Sequence, residues 1–369
     1  MAVEFIGMIG TQNASESRRA PGIPGEIDQS FTAAFARAHE YAGFDRVLIG
    51  YFSHAADGFQ VAAFAAQQTT TLKFLLAHRP GFVAPTLAAR QLASLDQFSG
   101  GRLAVHIISG GDDAEQARDG DFLPKAERYA RTDDYLDVVK KSWTSAKPFD
   151  HDGLYYKVRG SFSAVRPQQV PHIPVYFGGS SDEAIAVAGK HADVFAFWGE
   201  PLSDAKATIA KVRASAARHG RDGKIRFSLS LRPILGRTEE EAWAKAQRIL
   251  DASKALAAER PLPKRGTNGE PQNVGSQRLL EAASRGPVLD KRLWTEIAAL
   301  TGAKGNSTSL VGTPEQVADS MLDYYDLGIT TFLIRGFDPL EDAIEYGRYL
   351  LPVVREKIAD RENQVRVAE

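Results

Sequence analysis

The chain contains no cysteine among its 369 residues. That absence removes disulfides, thiolate metal sites, iron–sulfur clusters and cysteine nucleophiles together. Net charge is nearly absent as well: 45 Lys plus Arg against 46 Asp plus Glu leave −1. No global field therefore draws nucleic acid or an anionic membrane, and any charged ligand must be met locally. No uninterrupted apolar run reaches the roughly 18 residues of a membrane span, and the opening MAVEFIGMIG has neither the basic start nor the long apolar core of a secretion signal. A soluble, cytoplasmic protein is expected. Motifs of defined chemistry are missing too. There is no H-x-H, no H-E-x-x-H and no G-x-S-x-G elbow, and no carboxylate pair reads as spaced for a cation. A metal-dependent or serine hydrolase is thereby disfavoured, and no metal is expected.

What is present suits a large core: 43% of residues are hydrophobic and 25% charged, which excludes disordered and collagen-like chains. Short β-branched or aromatic runs alternate with segments of helical spacing, the pattern of strand–helix units around a parallel sheet. Eight runs read as strands: 5–10, 46–51, 72–78, 103–109, 175–178, 194–198, 227–235 and 331–336. Their near-continuous hydrophobicity implies burial on both faces. Helix signals fall between them. Thr238 with Glu241, and Ser180 with Glu183, read as capping boxes; Thr313–Pro314 reads as an N-cap and first-turn proline; Gly220 and Gly328 stand where helices should stop. Leu87, Gln91, Leu92, Leu95 and Phe98 trace one helical face. Eight such units predict a TIM (β/α)₈ barrel, typically about 250 residues long, so the surplus must be insertions within a single domain. Residues 144–174, with scattered aromatics and prolines, predict an ordered excursion containing a hairpin. Residues 258–308 open with the polar stretch RPLPKRGTNGEPQN, which reads as mobile, followed by helical pieces near 277–283 and 291–300. That insertion is a candidate lid, a plain surface loop being the alternative.

Barrels of this class carry their chemistry at the C-terminal ends of the strands. Those ends are polar here: Thr11, Gln12, Asn13; Tyr51, Ser53, His54; His78, Arg79; His106, Ser109; Gly178 to Ser181; Trp198, Glu200; Ser230, Arg232; and Arg335. Any one alone reads as structural; their clustering points to a site. The sharpest local signal is Tyr176-Phe-Gly-Gly-Ser-Ser-Asp182, a strand passing through two glycines into a capped helix, where backbone can approach a ligand and free N–H groups can hold phosphate. The acidic run Asp112, Asp113, Asp119 and Asp121 reads as a solvated loop. Arg232 and Arg335 end strands that a closed barrel makes neighbours, so they can clamp an anion or pair with a carboxylate such as Glu200 or Glu341. His54 and His78 are candidate proton donors or acceptors.

Several segments together resemble the bacterial-luciferase-like flavin-dependent monooxygenases, and within them the alkanesulfonate monooxygenase branch. They are Arg79-Pro80 with Pro85-Thr86 and Ala88-Ala-Arg90-Gln91; Gly100-Gly-Arg-Leu103 leading to His106-Ile-Ile-Ser-Gly110; Asp119-Gly-Asp-Phe-Leu123; Glu127-Arg-Tyr129; the 176–182 turn; Trp198-Gly-Glu-Pro201; Ile225-Arg-Phe227; and Gly336-Phe337 with Leu340-Glu341. The resemblance implies a barrel that takes reduced FMN from a separate NAD(P)H-dependent flavin reductase and uses O₂ to oxygenate an organosulfonate or related organosulfur compound, releasing aldehyde and sulfite. It places the FMN phosphate on Ser180, Ser181, the Gly178–Gly179 backbone and Tyr129, with His106 and Ser109 near the ring or ribityl chain. Lys125 falls where some relatives have a histidine close to the phosphate. Trp198, His54, His78, Arg232 and Arg335 are this chain's candidate catalytic set, the histidines and arginines read from the strand ends as a physical alternative to the family's own residues, and the resemblance implies a homodimer or homotetramer. The sequence departs from the branch at Ser230 and Arg232, where relatives carry arginine and histidine, at Phe337, where they carry tyrosine, and at Ala55, where they carry cysteine. F420-dependent hydride transfer and flavin binding without turnover are the alternatives.

Overall fold

The computed structural model describes residues 3–17, 25–259, 271–305 and 307–368. Its strands, in chain order, are β1 (Glu4–Ile9), β2 (Arg46–Ile49), β3 (Lys73–His78), β4 (Leu103–Ile107), β5 (Phe149–Asp152), β6 (Lys157–Ser161), β7 (Val175–Gly178), β8 (Val194–Trp198), β9 (Arg226–Leu231), β10 (Ile234–Leu235), β11 (Val288–Leu289), β12 (Leu293–Trp294), β13 (Ser309–Gly312) and β14 (Ile329–Ile334). Eight of them close into a barrel in the order β1-β14-β9-β8-β7-β4-β3-β2, so each apolar run named from the sequence overlaps a barrel strand. The run 227–235 is the exception in extent. It ends as a barrel strand at Leu231, and Arg232–Pro233 separates it from β10, which pairs with β13 in a small sheet ordered β10-β13-β12-β11.

Contacts divide the chain into two compact units, one of Met1–Val47, Ala196–Ala210 and Arg226–Glu369, the other of Leu48–Phe195 and Lys211–Ile225. In the first, β1, β14 and β9 lie side by side, with Phe5 opposite Phe332 and Ile334 opposite Leu231. Phe5, Phe227 and Phe332 are fully buried there. The small sheet packs Ile234, Trp294 and Val311 against Ala242, Ala246 and Ile249 of the helix Glu239–Glu259. The second half of the piece expected as a helix at 291–300 is the short helix Glu296–Thr301; its first half is strand β12. The candidate lid's polar stretch, from 260 to 270, lies outside the described residues.

In the second unit β3, β4 and β7 are parallel neighbours in register, and β5 and β6 form an antiparallel hairpin inside 144–174. The helix Pro85–Phe98 buries Ala88, Ala89, Leu92, Ala93 and Leu95, while Leu87 and Phe98 are exposed. Of the face traced by its large residues, Leu92 and Leu95 are core while Leu87 and Phe98 are not, because the buried face is shifted toward the alanines. Small residues let the helix approach Lys125–Thr144 closely, where Trp143 donates its indole N–H to the Ala89 carbonyl at 2.9 Å. Thr313 forms the expected capping box with Gln316. Thr238 caps Glu241 N–H at 3.2 Å, but the Glu241 carboxylate turns to Arg237 and so leaves that box half made. No helix among the described residues is long and apolar enough to cross a membrane.

Candidate functional site

In the second unit, β7 ends at Gly178 and the chain turns through Gly179 into the helix Asp182–His191. Gly179 has φ +142, and a Cβ there would stand 2.7 Å from the Ala184 methyl and 3.0 Å from the Tyr129 hydroxyl. No side chain fits. The cap is Ser181, one residue later than the sequence suggested, because its hydroxyl, not that of Ser180, accepts from Ala184 N–H at 3.3 Å. Tyr129 is buried and hydrogen-bonded to Ser181; burial raises its pKa against the opposing pull of that bond and of Arg128. The Glu183 carboxylate folds back onto its own N–H and the Ser181 hydroxyl, and these bonds hold it below its usual pKa. Burial lowers the Lys125 ammonium, with Glu183 opposing that shift. Tyr129, Ser181, Gly179 and Lys125 thus converge on the first turn of a ten-residue helix, and a carboxylate already takes its donors. Ser180 and Gly178 lie half-buried beside them.

The end of β4 is stitched to the helix carrying Tyr129. Ser109 and Thr132 share a hydroxyl hydrogen bond of 2.9 Å, and Thr132 donates to the Arg128 carbonyl at 2.7 Å. His106 is half-buried and driven down to about 4 by desolvation, so it is neutral at pH 7. His78 is buried, also near 4 for the same reason, and held by the Tyr135 hydroxyl at 2.7 Å from its Nε2. His54 lies exposed, its ring beside Phe52.

The acidic run is only partly the solvated loop expected: Asp113 and Asp119 are exposed, but all four aspartates have partners. Asp112 caps the helix Asp113–Arg118, Asp113 takes Arg128 at 2.7 Å, Asp119 accepts from the Tyr51 hydroxyl at 3.2 Å, and Asp121, 6% exposed, pairs with Arg131 at 2.5 Å. Asp113 and Asp121 neutralise arginines of the helix Lys125–Thr144, a role that requires tertiary contacts invisible in a local charge run. From the helix that Asp112 caps, Glu115 accepts from Arg79 Nη2 at 2.6 Å and from Ser53 N–H at 3.2 Å, while the Arg79 guanidinium stacks 4.5 Å over Tyr51. Arg79 Nε and Nη1, Ser53 Oγ, His106 Nδ1 and Gln116 Nε2 are buried without a hydrogen-bond partner among the described residues. Buried polar atoms normally find partners, so these five are hydrogen-bonding atoms still open to a ligand. Sequence reasoning named Arg79 and Ser53 among polar strand ends but missed Gln116 and Glu115, which only the fold brings there.

One cation-type cluster was overlooked. Asp133 and Asp137, one turn apart, meet His191, and their ligand atoms lie within 4.8 Å of one another. The Lys190 ammonium sits among them at 2.9 Å and 2.8 Å from the two carboxylates, so a side-chain cation already balances the pair.

In the first unit, Arg232 directly follows β9 and Arg335 directly follows β14. Because Leu231 and Ile334 are partners in register, the two arginines emerge side by side. Neither takes Glu200 or Glu341 in the way weighed from the sequence; both take Glu16. Arg232 Nη1 donates to Glu16 at 2.9 Å, Nη2 donates to the Gly336 carbonyl at 2.9 Å, and its guanidinium lies 3.6 Å from the Phe337 ring centroid. Arg335 Nη2 stands 3.5 Å from the other Glu16 oxygen. Phe337, where relatives have tyrosine, supplies the stacking face. Burial acts to raise the Glu16 carboxyl, but Arg232 and Arg335 outweigh it and leave its pKa below normal. Burial, and then the Arg232 charge, push Arg335 down to about 10 against the attraction of Glu16. Glu200 is instead held by Arg278 through Nε at 2.8 Å and through Nη2. Trp198 is half-buried over Gly275, where a Cβ would meet its ring at 3.1 Å, and packs on Leu279, Ala298 and Ala303.

Against known proteins, the model of the luciferase-like monooxygenases matches residues 3–331. Among solved structures, a riboflavin lyase (RcaE) with modified FMN and substrate riboflavin superposes with a TM-score of 0.80 at 21% identity, covering 97% of this chain and 92% of its own. EDTA monooxygenase (EmoA) from Chelativorans sp. BNC1 gives 0.77 at 20%, covering 97% and 94%. An F420-dependent secondary alcohol dehydrogenase in complex with an F420-acetone adduct gives 0.67 at 18%, covering 96% and 99%. The structural likenesses agree with the closed parallel barrel, and the family match extends over most of the strand–helix units that build it: this chain belongs to the luciferase-like monooxygenase family.

Proposed function

We propose that the protein is a two-component monooxygenase that binds reduced FMN delivered by a separate NAD(P)H-dependent reductase. In this reading it consumes O₂ to oxygenate a small organosulfonate or related organosulfur compound. The observation that carries it is the Gly179 turn, where backbone without a side chain faces the Tyr129 hydroxyl, which bonds Ser181, and where the Lys125 charge acts on Glu183 of the following helix. A phosphate ester fits this donor set, because a carboxylate already sits on it and a dianion would draw more from the same groups. The unpartnered donors of Arg79, Gln116 and Ser53 suit the carbonyl oxygens of an isoalloxazine ring. Bound reduced flavin would supply two electrons to O₂, and this chain's part is to seat it and exclude water. For a sulfonate the balance is R–CH₂–SO₃⁻ plus FMNH₂ plus O₂, giving R–CHO, hydrogen sulfite (HSO₃⁻, which ionises to sulfite by releasing a proton), FMN and water. Homo-oligomerisation belongs to the same proposal.

The test is oxygen uptake with FMNH₂ over a panel of alkanesulfonates, with sulfite measured in parallel. Substrate-dependent sulfite supports the reading; oxidation of F420H₂ without flavin-dependent oxygen uptake overturns it, as does tight FMN binding with no turnover on any substrate.

A further inference from the structure

The first unit contains an anion site that is already filled by its own chain. Three adjacent strands build it: the loop after β1 brings Glu16, β14 delivers Arg335 and β9 delivers Arg232. The Arg232 side chain is withdrawn from solvent at 3% exposed and Arg335 is half-buried at 30%, while the Glu16 side chain that joins them is 47% exposed. One carboxylate thus faces two arginines, with the Lys304 charge acting on it as well, so the site stays short of negative charge even when occupied. Arg232 Nε and Arg335 Nε are buried and have no partner among the described residues. Guanidinium forks present these N–H groups to oxyanions in paired geometry. Glu16 is held by a strap of three further bonds: its N–H donates to the Phe337 carbonyl at 2.8 Å, and the hydroxyls of Ser15 and Ser17 each donate to an oxygen of Asp338. The two serine bonds are half-buried, the kind that open locally at low cost.

We infer that Arg232 and Arg335 form a binding site for the carboxylate or sulfonate group of a small organic ligand, and that Glu16 is a tethered competitor which such an anion displaces. The site's chemistry stands apart from the flavin proposal, since binding here requires no cofactor. A tethered group competes at an effective concentration of about millimolar or more, and apparent affinity falls by the fraction of molecules in which the site is open.

The experiment is direct titration of flavin-free protein with methanesulfonate and with acetate, at ionic strength held constant with sodium chloride. Glu16→Gln keeps the shape and removes the competing charge, so it should bind methanesulfonate at least about tenfold more tightly than wild type. Its melting temperature should rise with methanesulfonate and not with added chloride. Arg335→Met in the Glu16→Gln background should abolish both effects. In the unaltered protein, saturating methanesulfonate should speed hydrogen exchange at the Glu16 amide. Equal affinity in wild type and Glu16→Gln overturns the inference, as do retained binding in the double variant and unchanged exchange at Glu16. Because exchange is read on the native protein, an unstable variant does not remove the test. Loss of monooxygenase activity with intact anion binding would count against the flavin reading alone.

Discussion

Tyr129 and Ser181 share a hydrogen bond in a region where burial makes each hydroxyl's partner matter. Replacing Tyr129 with Phe should weaken FMN binding roughly tenfold, read by fluorescence titration, because a charge-assisted bond to phosphate contributes about 1.5–3 kcal/mol. Ser181→Ala removes the same kind of donor and also the helix cap, so it should additionally cost about 1 kcal/mol of stability in urea unfolding. A variant that loses stability and keeps its FMN affinity would limit Ser181 to capping. The neutral state of His78 bears on its candidate role: with a pKa near 4 and Tyr135 on Nε2, it can relay a proton but is not a standing acid at pH 7.

The turn between β7 and the helix Asp182–His191 depends on Gly179. Gly179→Val asks a β-branched residue to adopt φ +142 and to place atoms within 2.7 Å of Ala184. FMN affinity should fall by more than about a hundredfold, with a stability loss of about 1–3 kcal/mol from strain and crowding; binding within a few-fold of wild type would place the phosphate elsewhere. In the other unit, β1 leans on the helix Gln29–Tyr41 through Gly7. A Cβ there would stand 2.2 Å from the buried His39 ring, which is pinned at Nδ1 by the Phe35 carbonyl at 2.9 Å. Gly7→Ala should destabilise by about 1–3 kcal/mol, measured by chemical denaturation, and Gly7→Ala paired with His39→Ala should recover part of that.

At the scale of the molecule, acid sensitivity follows from buried imidazoles. Burial lowers His39 and His78 from 6.5 to about 4. Folding therefore favours the neutral form, and the unfolded chain binds more protons between those values. Their stabilisation is complete above pH 6.5 and lost as pH falls through 6.5 toward 4, by on the order of 3 kcal/mol each. Asp133, held near 2 by His191 and Lys190 against the effect of burial, adds its loss only lower, between about 4 and 2. Unfolding free energy measured against pH should decline in the first window, and His39→Gln should flatten part of that decline. An unchanged slope would mean the rings are not desolvated as described.

The barrel was legible because its strands are buried on both faces and so appear as compact apolar runs, and because turn chemistry such as Thr313–Pro314 marks where helices begin. The small sheet was not, since β10 spans two residues at the end of one such run and β11 and β12 are no longer. The face of the helix Pro85–Phe98 was legible in part: Leu92 and Leu95 are buried as hydrophobic size suggests, but close packing selects Ala88 and Ala89 in place of Leu87 and Phe98. At the candidate site, Gly178 to Ser181 could be named in advance because strand, turn and cap are consecutive residues. Glu16 as the partner of Arg232 could not, the two being 216 positions apart. The amino-acid order by itself determined which segments become strands and helices and which ends are polar, because propensity, periodicity and capping act over a few residues. Only the tertiary structure decided which acid meets which base, because hydrogen bonds and screened charge interactions act over a few ångströms and depend on which distant segments the closed chain makes neighbours.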